Sequence, residues 1–193
     1  MIENKEIEVL CLYYSYTGRE TNYFEIVNNL DVMDEEDYQS KEFWASLGGF
    51  SITLAGYNTI FSSHNFYNMV KATSFLLSTL YWLQDKKTDW FDYNFNDKEI
   101  WIELGKDEMF KIVKHSEGEI LLSYYTMGNE AGHRRGVRYF DGVKVEKDRW
   151  LESVNLALSE YFQVLQQVID KGSETNLIQT MLEYYTVWEE IKL

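Results

Sequence analysis

The strongest cationic chemistry in the chain lies in segment 128–138, Gly-Asn-Glu-Ala-Gly-His-Arg-Arg-Gly-Val-Arg, where His133, Arg134, Arg135 and Arg138 stand among glycines. Guanidinium forks pair bidentately with phosphate and carboxylate oxygens, so this segment is a candidate anion-binding loop. Its spacing matches neither a P-loop, which needs Gly-Lys followed by Ser or Thr, nor a dinucleotide fingerprint opening a helix. Glycines and charges also suit any exposed hairpin loop. On that plainer reading the arginines offset surrounding acids.

Other routes to catalysis are thin. Cys11 is the only cysteine, and its setting, Glu8-Val9-Leu10-Cys11-Leu12-Tyr13, reads as a buried strand in which a thiol is a small core hydrophobe. His64, His115 and His133 lie far apart, so no zinc spacing exists and no metal or cofactor is expected. No Gly-x-Ser-x-Gly elbow marks a nucleophile, and no catalytic residue is assigned. Asp89 and Asp92 flank Trp90 and Phe91, whose rings could desolvate an acid, but such neighbours arise readily among 32 acidic residues.

Charge and aromatic content point instead to recognition. With 18 Lys and Arg against 32 Asp and Glu the net charge is -14, which repels nucleic-acid phosphates and anionic membrane surfaces. The densest acidic run, Asp31 with Asp34, Glu35, Glu36 and Asp37, lacks the alternating ligands and glycine of a calcium loop and reads as a solvated face. The chain carries 15 Tyr, 11 Phe and 6 Trp, with tyrosine pairs at 13–14, 124–125 and 184–185. On a strand, adjacent side chains point to opposite faces, so Tyr14 and Tyr125 are candidate displayed anchors while their neighbours fill the core.

The elements that must position these residues follow from periodicity. Ile7 to Tyr16 reads as a strand, Thr17-Gly18-Arg19 as a turn, and Glu20 to Leu30 as a short helix with Tyr23, Phe24, Val27 and Leu30 on one face. Phe50 to Phe61 reads as a strand followed by a bend. Ser62 or Ser63 then caps a helix to Gln84 whose apolar residues cover more than one face, which predicts burial. Six short strands follow, at 90–95, 99–104, 108–114, 119–126, 137–140 and 143–147, with Asp141-Gly142 as the strongest hairpin signal. Asp148 caps an amphipathic helix ended by Gly172, and Ser173 caps a second with Leu177, Met181, Tyr185, Trp188 and Ile191 on one face.

The expectation is an α+β fold over residues 1–193 as a single globular domain. An antiparallel meander of about five to seven strands packs on a central buried helix and a C-terminal helix pair. No signal-peptide pattern and no long apolar run occur, so a reduced, cytoplasmic location is expected. The functional expectation is a non-catalytic acidic protein-binding domain, such as an immunity or inhibitor protein that captures a basic partner like a bacterial toxin. Two alternatives stand beside it: a small enzyme or ligand-binding domain that uses loop 128–138 on an anionic metabolite, and self-association through the C-terminal helices.

Overall fold

The computed structural model describes residues 7–17, 20–25, 48–54, 57–61, 69–86, 94–104, 108–126, 139–170 and 176–192. Its first four strands are β1 (Ile7–Thr17), β2 (Glu20–Glu25), β3 (Gly48–Leu54) and β4 (Tyr57–Phe61). They form one antiparallel sheet in the order β2-β1-β3-β4. Glu20–Glu25 is therefore a strand and not the start of a helix, with Tyr13, Tyr14 and Ser15 opposite Phe24, Tyr23 and Asn22. Adjacent aromatics favour the pleated surface, and a segment this short fits either period, so pairing with β1 decides. The bend after β3 opens into a hairpin, because Phe50 to Leu54 pair with Phe61 to Tyr57.

Helix α1 (Met69–Leu83) is buried at every position from Ala72 to Leu83, as its many-sided apolar pattern requires. Two of its buried hydroxyls are satisfied locally, Ser78 Oγ donating to the Ser74 carbonyl at 2.7 Å and Thr79 Oγ1 to the Leu76 carbonyl at 2.8 Å, while the buried Thr73 Oγ1 has no hydrogen-bond partner among the described residues. The expected caps Ser62 and Ser63 lie outside the described residues. At the other end Asp85 takes a left-handed φ of 54°, while Lys86 N–H donates to the Tyr81 carbonyl and Asp85 N–H to that of Trp82. This pair of bonds closes a Schellman cap with aspartate where glycine is usual.

Strands β5 (Asn94–Phe95), β6 (Glu99–Leu104), β7 (Glu108–Lys114), β8 (Glu119–Thr126) and β9 (Phe140–Glu146) form the expected antiparallel meander, paired strictly in chain order. The meander differs from the sequence reading at Asp141-Gly142. Those residues do not turn a hairpin; they sit inside β9 as a bulge opposite Ser123, between the pairs Leu122–Val143 and Tyr124–Phe140. Gly142 supplies the left-handed φ of 61°, its N–H donates to Ser123 Oγ at 3.0 Å, and Ser123 Oγ donates to Asp141 Oδ1 at 2.9 Å. Asp-Gly serves either geometry, and a serine able to bond both residues fixes the bulge.

Helices α2 (Lys147–Asp170) and α3 (Asn176–Ile191) complete the fold. Asp148 lies inside the first turn of α2 and not at its cap, where its carboxylate still faces the positive end of the helix dipole. Gly172 and Ser173 lie outside the described residues.

One run of rings joins these layers. Phe50 of β3 stacks on Phe75 of α1 (centroids 6.2 Å), Phe75 meets Phe110 of β7 edge-on (6.0 Å), and Phe110 stacks on Trp150 of α2 (6.0 Å). The Trp150 indole donates to Thr79 Oγ1 at 3.1 Å, so even the polar atom of that buried ring is paired. Ser153 of α2 covers the stretch of β1 that β2 does not reach, accepting from Val9 N–H at 2.8 Å.

Candidate functional site

Asp31, Asp34, Glu35, Glu36 and Asp37 lie outside the described residues, as do His133, Arg134, Arg135 and Arg138. Tyr14 sits in β1 opposite Tyr23. Tyr124 and Tyr125 divide between the two faces of β8: Tyr124 is fully buried, and Tyr125 is half-buried, with its hydroxyl 3.0 Å from Met109 Sδ and Lys111 Nζ 5.8 Å from its ring centre. Among the described residues, no cluster of His, Cys, Asp and Glu could hold a metal. No described helix is long and apolar enough to cross a membrane.

Two aromatic-acidic constellations emerge that the sequence reading did not single out. The first is sealed. Glu108 at the start of β7 is buried, and its two carboxylate oxygens accept hydroxyls from Tyr124 and Tyr139 at 2.8 Å each. The β7–β8 register and the bulge in β9 bring these residues together, with the tyrosine rings 5.0 Å apart. Hydrogen bonds to a carboxylate are shorter and stronger than neutral ones, which is how a buried acid becomes tolerable. This clasp joins the described strand ends on either side of residues 127–138.

The second constellation is open. Between α2 and α3 lies a groove of about 350 Å³ lined by Phe162, Gln163, Tyr185, Trp188, Glu189 and Lys192 among others. Phe162 packs against both Tyr185 and Trp188 at 5.4 Å, and Tyr185 lies 5.9 Å from Trp188. The Trp188 indole donates to Asn155 Oδ1 of α2 at 2.9 Å, and the Tyr81 hydroxyl of α1 donates to the Val187 carbonyl at 3.2 Å, which sets the pitch of α3 against its neighbours. Lys192 Nζ lies 5.1 Å from the Trp188 ring centre and 2.6 Å from Glu189 Oε1. That ammonium, followed by the Tyr185 hydroxyl, holds the Glu189 carboxyl below the ordinary glutamate range against the opposing pull of burial. Tyr185 is 36% exposed, and Leu156, on the Gln163 side of α2, is 60% exposed.

The signal for this groove was present in the sequence. Tyr185 and Trp188 fall on the apolar stripe of the last helix, and a glutamate next to Trp188 with a lysine four residues beyond it place an acid and a cation on the rim of that stripe. Comparison with protein-family models, curated proteins and solved structures gave no match.

Proposed function

We propose that this chain is a non-catalytic acidic binding protein that captures a basic protein partner in the cytoplasm, in the manner of an immunity protein or inhibitor. The observation that carries this reading is the distribution of charge. Among the described residues, twelve exposed carboxylates stand against five exposed Lys or Arg, so the acidic excess extends well beyond the Asp31–Asp37 run. An acidic field speeds encounter with a basic partner and disfavours acidic ones. Aromatic side chains at the surface then supply contact area at low entropy cost.

The test is association kinetics. A partner recovered by cross-linking from the native cell should bind with an on-rate that falls as salt rises, because screening shortens the field to about 8 Å at physiological ionic strength. Reversing Asp34, Glu35, Glu36 and Asp37 to lysine should slow that on-rate and leave folding intact. An on-rate indifferent both to salt and to the reversal refutes electrostatic capture.

A further inference from the structure

We infer that the α2–α3 groove is the seat for a lysine-bearing segment of the basic partner, and that Lys192 occupies it in the free protein as an exchangeable placeholder. The inference rests on the basic-partner reading and adds the place and the chemistry of contact.

The groove has both components that hold an alkylammonium: an indole face and a carboxylate beside it. Lys192 demonstrates the fit, since its ammonium sits over Trp188 and against Glu189. The protein builds the same arrangement a second time. At the end of α1, Lys114 Nζ lies 4.7 Å from the Trp82 ring centre and 2.6 Å from Asp85 Oδ1. There the lysine arrives from another element, strand β7, so a helical tryptophan–carboxylate pair accepts a cation presented from outside its own helix. Among the described residues the cation over Trp188 is Lys192, one residue past the end of the same helix, and its side chain stays 42% exposed.

Charge and shape favour the same occupant. Helix α3 carries Glu183, Glu189 and Glu190, all exposed, and no cation within its span. Leu156 does not line the groove itself but lies on the same side of α2 as Gln163, about 10 Å earlier along the helix, as an exposed apolar surface for the methylene stems of neighbouring side chains. With Glu189 as its one lining carboxylate beside the rings of Phe162, Tyr185 and Trp188, and with further acids on the rest of α3, the groove suits lysines interspersed with apolar residues better than an anionic or wholly apolar ligand.

The experiment titrates octalysine into the full chain at low salt, following the indole N–H resonances by NMR and assigning Trp188 from Trp188→Phe. The expected result is movement of the Trp188 resonance, about fivefold weaker binding in Tyr185→Ala, weaker binding in Glu189→Gln, and about threefold tighter binding in Lys192→Ala, where the placeholder is gone. Equal affinity in wild type, Tyr185→Ala and Lys192→Ala overturns the groove while leaving capture of basic partners elsewhere intact. A Trp188 resonance that moves with protein concentration alone makes a second copy of the chain the occupant, which also overturns it. Failure of octalysine to bind wild type or any variant removes the groove and counts against the charge-capture reading as well.

Discussion

The two tryptophan–carboxylate–lysine knots use the same chemistry to different ends. At Trp82 the knot is a lock: the indole donates to the Asn96 carbonyl at 2.9 Å, Lys114 is anchored on β7 and 29% exposed, and the arrangement ties the end of α1 to the meander. At Trp188 the indole also donates at 2.9 Å, to Asn155, but the cation, Lys192, stands one residue past the end of α3 beside an open groove. Both indoles are buried, 9% and 6% exposed, so the knots differ in the carboxylate, 84% exposed at Asp85 and 36% at Glu189, and in the tether of the cation. A lysine held by a strand is structural; one at a helix end can be exchanged. Side-chain identity alone therefore does not separate a fastening from a binding site, and the tether of the cation does.

The largest effects should show what the knots share. Trp82→Ala and Trp188→Ala each remove a buried ring, and each should cost about 3–5 kcal/mol in chemical denaturation. A cost near zero at Trp188 would mean that α3 does not pack as described, and the groove would lose its floor. Tyr185→Ala, at the open rim of the same ring cluster, should fall below about 1 kcal/mol.

Next comes the sealed carboxylate, the limiting case of a lock. Tyr139→Phe leaves Glu108 short of a donor in a buried setting and should cost about 1–3 kcal/mol, with Glu108→Gln in a similar range. A double-mutant cycle between the two should show strong coupling, since they share one hydrogen bond. Additive costs would mean that the hydroxyl and the carboxylate do not depend on each other.

Much of this organisation was legible in the sequence. Long periodic segments declared themselves: α1 as a buried helix, α2 and α3 as amphipathic, and β6, β7 and β8 within the bounds drawn from alternation. Short-range signals failed where two geometries share a residue code. Tyr23-Phe24 fits a helix face or a strand, and only β1 decides; Asp141-Gly142 fits a turn or a bulge, and only Ser123, eighteen residues away from Asp141, decides. The sites were least legible because each assembles from distant positions. Glu108 meets Tyr139 across 31 residues, and Lys114 meets Asp85 across 29, with no local spacing to announce either.

Smaller effects separate the two knots. Lys114→Ala should cost about 1 kcal/mol, since it removes a cation–π contact together with the packing of the lysine stem between elements. Lys192→Ala should stay within about 0.5 kcal/mol, as exposed pairs near a helix end usually do. Equal losses at the two positions would erase the distinction between lock and placeholder.

The finest test is titration. Asp85 is held below the ordinary aspartate range, first by the hydrogen bond from Lys114, and Glu189 below the ordinary glutamate range, first by that from Lys192. Both folded values are depressed, so the stability these contacts confer is present above the unfolded values. It is lost as pH falls through the folded ones, in a window below about pH 4. Carboxyl-detected NMR should place both groups low in wild type, with Asp85 rising toward its ordinary value in Lys114→Ala and Glu189 in Lys192→Ala. The knots should then part in their response to octalysine at neutral pH. In Lys192→Ala the added peptide should restore the low Glu189 value, because an external ammonium takes the vacated place, whereas in Lys114→Ala it should restore Asp85 less, because a free peptide lacks the tether to β7 that places Lys114 against this 84% exposed carboxylate. Equal restoration at both sites would mean that any exposed carboxylate beside a tryptophan draws in the peptide, and the groove between α2 and α3 would lose its claim to specificity.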